Sequence, residues 1–192
     1  MTQKRIFVLN GHPAERSISS ALVDAYAKAA ELAGHEVRQL NLHDLKFDMD
    51  YGMGGYKNAK PLEPDLETVL GNIEWAEHVV VSTPMWWGGV PAKLKGLFDR
   101  AFLPGRTFDT RGKLPKPMLK GRTSRVFLTS DTPGWYFRLI YGNALISQLK
   151  KQVLGFIGLK TKVTTFSGAS HAPQKKIDHW VEKASDYGAQ AL

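Results

Sequence analysis

The sequence predicts a doubly wound α/β fold: a three-layer sandwich with a five-stranded parallel sheet in the order 2-1-3-4-5 and helices on both faces. Five short β-rich apolar runs recur, and helical patterns separate them. Three runs are apolar throughout, as in strands buried on both faces. Strands that alternate with helices favour parallel pairing through right-handed crossovers. The runs are residues 6–9, 37–40, 79–82, 125–129 and 162–166.

Five helices are predicted between and after these strands. Ser17 or Ser19 caps the first and Gly34 ends it, as serine and glycine commonly do. Leu145, Leu149 and Val153 predict the fourth helix by their helical spacing. Proline is favoured in the first turn of a helix. Prolines open the second, third and fifth helices at Pro64, Pro91 and Pro173. Residues 47–62 fit neither period and are predicted to form a long loop, which in a compact domain is usually functional or mobile.

Length and composition limit the classes of protein to which the chain can belong. A chain of 192 residues with 43% apolar and 23% charged residues predicts a single domain spanning residues 1–192. The absence of cysteine excludes disulfides, thiolate metal ligands and cysteine nucleophiles. The six histidines are too scattered to predict a metal site. No apolar run is long enough for a signal peptide or a membrane span, so we expect a cytoplasmic protein.

The formal net charge of +8 suggests an anionic partner, and the distribution of the basic residues along the chain narrows the choice of partner. The densest basic stretch covers residues 106–125, is broken by prolines and glycines, and has no helical period. This pattern favours a solvated basic loop. A surface for nucleotide phosphates or for a protein partner is the next alternative, and we expect no binding of nucleic acid.

Ligands of open parallel sheets bind beyond the carboxyl ends of the strands, where the strand order reverses. The loops after strands one, three and four should meet there. The first loop holds His12 and leads into a helix through Ser17, Ile18 and Ser19, so hydroxyls, free N–H groups and the helix dipole can bind a phosphate. Serines before a helix are also ordinary caps. The sequence has neither the G-x-G-x-x-G nor the P-loop motif.

The second loop carries two adjacent tryptophans between a strand end and a helix start. Pro84 fixes a turn, Met85, Trp86 and Trp87 follow, and Gly88 permits close approach of the backbone. Neighbours in an extended segment point to opposite sides, so both rings can hardly fill one core. One tryptophan is therefore expected to present a flat face to the cleft. The charged residues of the helix that follows, Arg100 among them, are mostly explained by a solvated face.

The third loop, residues 130–142, again combines turn residues with aromatic ones. Thr132, Pro133 and Gly134 can aim backbone N–H groups at an acceptor. Tyr136 and Tyr141 follow with Trp135 and Phe137. Taken together, the three loops predict a site for a phosphorylated planar ring.

These motifs resemble those of the flavodoxin-like NAD(P)H:quinone oxidoreductases, over nearly the whole chain. The specific part is P-x-x-W-x-x-x-P-A-x-L-K-G-x-x-D/E-R, which begins here at Pro84 and ends at Arg100. A histidine followed five residues later by a serine (His12, Ser17) and a late H-A-P at residues 171–173 add to it. The resemblance implies bound FMN or FAD, NAD(P)H as co-substrate, two-electron reduction of quinones or other flat acceptors, and a homodimer with the sites at its interface.

The resemblance also assigns roles to residues. His12, Ser17, Ile18 and Ser19 match the phosphate loop of the flavin. Pro84, Met85, Trp86, Trp87 and Gly88 match the segment along the ring, with Trp87 beside cofactor and substrate and Trp86 expected to be packed away or at the dimer interface. Thr132, Pro133 and Gly134 match the loop beside the pyrimidine end of the ring.

The chain departs from the family at its expected proton relay. Tyr141 stands where the mammalian members carry a histidine, so Tyr136, Tyr141, water or the partner subunit would supply the proton. Three other functions share the fold: a flavodoxin-type electron carrier, although such carriers are usually acidic, a regulatory subunit of a membrane transporter, and a non-flavin binding protein or hydrolase. The last has little support, because the sequence has no G-x-S-x-G motif.

Overall fold

A computed structural model of the chain describes residues 2–52 and 59–192, and its central feature is the predicted parallel sheet. The strands are β1 (Arg5–Asn10), β2 (Glu36–Asn41), β3 (His78–Pro84), β4 (Phe108–Asp109), β5 (Lys116–Pro117), β6 (Thr123–Ser130) and β7 (Lys160–Ser167). The sheet order is β2-β1-β3-β6-β7, with every pair parallel. This is the predicted order 2-1-3-4-5, because the two additional strands β4 and β5 form only a short antiparallel pair.

The helices follow the predicted pattern except in the third loop and at the fourth predicted helix. Ser17 is the N-cap of α1, as one of the two predicted alternatives had it, whereas Ser19 lies inside the helix. The third loop is not wholly irregular, because residues 134–139 form a short helix. The fourth helix is split into a short α-helix and a π-helical segment, Gln148–Val153. The α-helices are α1 (Ile18–Leu32), α2 (Pro64–Trp75), α3 (Ala92–Ala101), α4 (Gly134–Leu139), α5 (Ala144–Ser147) and α6 (Gln174–Ala189).

Two apolar cores lie on the two faces of the sheet. One core packs α1 and α6 onto the sheet through residues such as Tyr26, Phe127 and Trp180. The other packs α2, α3 and residues 145–159 onto the opposite face. The central strand β3 is buried along its whole length, as its continuous apolar run predicted. No helix in the described part of the chain is both long and apolar enough to span a membrane.

Several arginines of the basic stretch have partners within the chain. Arg106 forms a bidentate ion pair with Glu74, at 2.6 and 2.7 Å. Arg122 donates hydrogen bonds to the main-chain oxygens at the end of α2, including that of Ile73 at 2.8 Å. Arg125 is buried and donates to the Leu192 main-chain oxygen at 2.6 Å. These side chains hold structure together, so they add little to a surface for phosphates or partners.

Arg100 corrects the expectation of a solvated face on α3. Its side chain is only 1% exposed and forms an ion pair with Glu63 at 2.8 Å. It also donates to the main-chain oxygens of Asp48 and Pro61, the latter at 3.0 Å. A single guanidinium therefore joins both ends of the predicted loop 47–62 to α3. The middle of that loop, residues 53–58, lies outside the described residues.

His78, at the start of β3, makes stability dependent on pH. Burial lowers its pKa to about 3, with further lowering by the charges of Lys4 and Arg125. Because the folded pKa lies below the unfolded value, protonation favours unfolding, and this part of the stability is lost as the pH falls below about 6.5. We expect a loss of about 1.4 kcal/mol per pH unit between pH 6 and 4. Chemical denaturation of the wild type and of His78→Asn across this range measures it: the variant should show a slope smaller by one proton, and equal slopes would contradict the assignment.

Candidate active site at the carboxyl edge of the sheet

The site lies where the strand order reverses. The chain leaves β1 toward β2 on one side and leaves β3 toward β6 on the other, so a crevice opens between their carboxyl ends. The predicted three loops meet there, and the β7–α6 connection joins them. Two adjoining cavities of about 300 and 500 Å³ occupy the crevice and share Met85 and Asp131 as walls.

The first loop is fixed to the end of β3 by close backbone contact. Gly11 donates its N–H to the Ser82 main-chain oxygen at 2.7 Å. A Cβ atom on Gly11 would lie 2.9 Å from that oxygen and 2.8 Å from Leu94 Cδ2, so the loop requires glycine here. Asn10 Oδ1 accepts the N–H of His12 at 3.1 Å. These bonds set the path of the chain from β1 into α1.

His12 has a ring N–H that is free to donate a hydrogen bond to solvent or to a ligand. Its Nδ1 accepts the N–H of Ala14 at 3.0 Å, so in the neutral ring the proton sits on Nε2. Burial lowers the pKa of His12, which favours this neutral form. The ring also packs edge-on against Trp86, with centroids 5.6 Å apart.

The N-terminus of α1 offers several unused donors. Ser17 and Ser20 form a capping box in which each hydroxyl accepts the other residue's N–H. The N–H groups of Ile18 and Ser19 precede the helical hydrogen bonds and are free for a ligand. The first turn carries no acidic residue to neutralise the dipole. Ser19 is 1% exposed, and its hydroxyl has no hydrogen-bond partner within the described residues although it lines the smaller cavity.

The two tryptophans occupy a tight turn between β3 and α3. Trp86 and Gly89 exchange two main-chain hydrogen bonds of 2.9 Å. Trp87 and Gly88 between them have φ of 50° and 77°, which defines a turn of type I′. Glycine adopts such a φ freely, whereas for tryptophan it costs of order 1 kcal/mol or more. The Trp87 side chain is wholly exposed and lines the larger cavity.

Trp86 is not packed into the core of the chain, contrary to one of the two expectations for it. Its side chain is 46% exposed and lines the smaller cavity together with His12. The alternative, a position at an interface between two copies, stays a prediction. The proposed role of Trp87 beside a bound ring also stays a prediction.

The third loop supplies fewer backbone donors than the sequence suggested. Pro133 has no N–H, and the N–H of Thr132 is bound by Ser130 Oγ at 3.0 Å. Gly134, the first residue of α4, keeps an N–H without an acceptor among the described residues. Of the two tyrosines, Tyr141 lines the larger cavity and Tyr136 packs edge-on behind it, with centroids 5.1 Å apart.

Sequence reasoning missed several residues that line the smaller cavity, among them Arg16, Asp131 and Ser170. Arg16 is exposed at its rim and is not part of the helix, so no periodicity marks it. Asp131 accepts two hydrogen bonds from Ser170, at 2.7 and 2.6 Å, which tie the third loop to the β7–α6 connection. Bonds from the side chain and main chain of Ser170 hold the pKa of Asp131 below its usual range. The negative charge of Asp131 repels an anion, so an anion in this cavity would bind on the opposite side, near α1.

The arrangement defines a class of site: a cleft of an α/β protein with an anion cradle at one end and a flat aromatic surface at the other. A family model described as having the flavodoxin-like fold matches residues 4–191. The chain belongs to this family, as the sequence motifs predicted.

Related proteins extend over most of the chain at low identity. NAD(P)H dehydrogenase (quinone) 1 of Cavia porcellus is 24% identical over 195 residues, covering 88% of this chain and 70% of the relative. FMN-dependent NADH:quinone oxidoreductase of Nitratidesulfovibrio vulgaris (strain DP4) is 29% identical over 197 residues, covering 88% and 90%. The solved structure of an NAD(P)H:quinone oxidoreductase from Methanothermobacter marburgensis superposes with a TM-score of 0.82 at 19% identity, covering 99% of this chain and 96% of that one. This structural similarity supports the fold.

Proposed function

We propose that the protein is a flavin-dependent NAD(P)H oxidoreductase that reduces quinones or similar flat acceptors by two electrons. The observation that carries this proposal is the juxtaposition of a buried, unpartnered Ser19 hydroxyl at the N-terminus of α1 with exposed aromatic rings along the same crevice. A phosphate fits the first feature and a planar ring fits the second. The names of the related quinone oxidoreductases support the same reaction.

FMN is the flavin that we propose. Its terminal phosphate is a dianion, and the cradle offers the Ser17 and Ser19 hydroxyls, the free N–H groups of α1 and the exposed Arg16 at the rim. Three bacterial relatives are named as FMN-dependent, which agrees with this choice. Mass spectrometry of the cofactor released by heating distinguishes FMN from FAD.

A flavin held in this crevice would supply the redox chemistry, the transfer of hydride from NAD(P)H to the acceptor. The protein holds and orients the reactants. Residues 84–88 line the crevice along the flat part of the site. The N–H of Gly134, two residues after the cavity-lining Thr132, has no acceptor among the described residues, and we assign to it the stabilisation of negative charge at the ring edge. The Trp87 side chain offers a flat apolar surface on which nicotinamide and acceptor can stack in turn.

Tyr141 is the better placed of the two predicted proton donors. Its ring lines the larger cavity with Trp87 and Thr132, whereas Tyr136 supports it from behind. We assign to the Tyr141 hydroxyl the delivery of a proton to the reduced acceptor. The chain has no histidine between His78 and His171, so this loop cannot supply an imidazole.

Ser19→Ala should weaken the binding of FMN without lowering the stability of the protein. Its hydroxyl has no partner within the described chain, so its loss should leave the flavin-free protein as stable as the wild type and weaken FMN binding by about 10- to 100-fold. Ser20→Ala is the contrast: that hydroxyl bonds both the N–H and the main-chain oxygen of Ser17, so stability should fall by about 1 kcal/mol. Fluorescence titration with FMN and thermal unfolding measure the two effects. Wild-type FMN affinity in Ser19→Ala would contradict the cradle.

A homodimer completes the site in this proposal. Helix α4 and the residues after it expose Trp135, Leu139, Ile140 and Tyr141 by between 48% and 71%, directly beside the larger cavity. An exposed apolar patch at the mouth of a site favours a partner surface, and a second copy could cover both Trp87 rings. We expect the wild type to sediment as a dimer and Leu139→Glu to sediment as a monomer with acceptor turnover at least about tenfold lower. A monomeric wild type with full turnover would contradict this.

Spectroscopy and turnover test the function. The purified protein should be yellow and should turn over NADH or NADPH when a benzoquinone is present as the acceptor. An electron carrier would bind flavin yet fail to turn over with NAD(P)H as sole donor. A colourless protein that takes up neither FMN nor FAD would refute the proposal.

A further inference from the structure

The larger cavity of the crevice has one charged group in its described wall, the Asp131 carboxylate. The other described residues that line it are apolar or uncharged: Met85, Trp87, Gly88, Thr132, Phe137 and Tyr141. Arg16 lines only the smaller cavity, so no basic side chain among the described residues lines the larger one. A ligand in the larger cavity therefore meets flat apolar surface and a single negative charge.

Hydrogen bonds to the β7–α6 connection fix the position of this carboxylate. The main-chain oxygen of Ser130 accepts the N–H of Gly168 at 2.7 Å. Ser170 donates its N–H and its hydroxyl to the Asp131 carboxylate, at 2.7 and 2.6 Å. The bonds from Ser170 and the charge of His171 lower the pKa of Asp131, so the group is ionised at neutral pH. A fixed charge acts on every ligand beside it, because it cannot turn away into solvent.

Asp131 also lies at the junction of the two cavities. Among the described residues, only Met85 and Asp131 line both. In the proposed function a phosphate lies near α1 in the smaller cavity and a flat acceptor enters the larger one. The Asp131 side chain is exposed to solvent, and a flat ligand that displaces part of this water strengthens the field of the carboxylate at the acceptor.

We propose that Asp131 makes this site selective for acceptors without negative charge, so that uncharged or cationic quinones are accepted and anionic ones, such as aromatic sulfonates, are rejected. This inference rests on the proposed function and narrows its substrate class. The carboxylate repels an anionic acceptor across the apolar cavity, whereas an uncharged ring meets no such repulsion. Selectivity of this kind comes from rejection of the wrong ligand and needs no additional contact with the preferred one.

Naphthoquinone and naphthoquinone sulfonate test the proposal, because they share the ring and differ by one negative charge. Quenching of tryptophan fluorescence measures the affinity of FMN-saturated protein for each, without NAD(P)H and therefore without turnover. We expect the wild type to bind the uncharged quinone more tightly, and Asp131→Asn to shift the ratio of the two affinities toward the sulfonate by about 5- to 10-fold. The ratio of the two kcat/KM values should shift in the same direction.

Two further variants separate the charge from other effects. Asp131→Glu keeps the negative charge and should keep most of the discrimination. Asp186→Asn removes the same charge from an exposed position near the end of α6 and should leave the ratio unchanged. Circular dichroism checks that each variant keeps the fold.

Three results would overturn the proposal: equal or tighter binding of the sulfonate by the wild type, an affinity ratio unchanged in Asp131→Asn, or an equal shift in Asp186→Asn. Failure of FMN to bind would instead contradict the proposed function. The same comparison is then made in flavin-free protein with excess inorganic phosphate, which competes with the sulfonate for the cradle at α1. The expected shift in the ratio is the same there, and its absence would overturn the assignment of Asp131.

Discussion

Replacing Arg100 with methionine is expected to lower the free energy of unfolding by about 2–4 kcal/mol, because the buried guanidinium bonds two main-chain oxygens and the partly exposed Glu63, which would all lose those bonds. Arg100 is 1% exposed and is bonded to Glu63, Asp48 and Pro61. These partners lie on both sides of residues 53–58, so the substitution should also free the two ends of that loop from α3. Urea denaturation measures the stability change, and limited proteolysis reports on the loop.

Arg111→Met is the matched control. Arg111 pairs with Asp109 at 2.9 Å but has 89% of its side chain exposed, so its removal should change stability little. Arg100→Lys should recover only part of the loss, since one ammonium group cannot replace the several directed bonds of a guanidinium. Equal stability of Arg100→Met and Arg111→Met would show that the buried pair does not anchor the loop.

Gly11→Ala is expected to weaken FMN binding by about 100-fold, which is the largest effect we expect on the site. The new Cβ would lie 2.9 Å from the Ser82 main-chain oxygen, so the loop must move and the hydrogen bond between these residues must lengthen or break. Displacement by about 1 Å misplaces the donors of α1 relative to the ring end of the site. Fluorescence titration with FMN gives the affinity, and circular dichroism checks that the fold is kept.

Gly71→Ala serves as the control for the added methyl group. Gly71 lies in α2, and no atom lies within 4 Å of the position that a Cβ would take there. Alanine should therefore raise stability by about 0.5–1 kcal/mol and leave FMN binding unchanged. Wild-type affinity in Gly11→Ala would mean that the first loop does not position the cofactor.

The sheet could be predicted from sequence because its strands are short, apolar and separated by helices whose starts are marked by serine or proline. Burial on both faces makes β3 a continuous apolar run, and Ser17 and Pro64 mark helix starts through local chemistry alone. Local chemistry gives no such signal for Arg100. Its burial depends on Glu63, 37 residues away, and on backbone oxygens 39 and 52 residues away, so its charge suggested a solvated residue instead.

The candidate site shows the same division. His12, Ser17 and Ser19 could be named because a loop between a strand and a helix has few alternatives for its polar groups. Asp131 could not, because its role rests on a contact with Ser170, 39 residues away. The N–H of Thr132 was expected to face a ligand, but the Ser130 hydroxyl, two residues away, takes it. Whether a backbone N–H stays free for a ligand depends on competition from acceptors nearby in the chain. Residue types alone do not reveal the outcome of that competition.

The central claim is that one crevice holds a phosphate at α1 and a planar ring beside the two tryptophans. Comparing the affinities for FMN and riboflavin, which share the ring and differ in the phosphate, tests it most directly. We expect FMN to bind at least about 100-fold more tightly, with quenching of tryptophan fluorescence, and Ser19→Ala to reduce this difference. Equal affinities for the two ligands, or FMN binding without any change in tryptophan fluorescence, would contradict it.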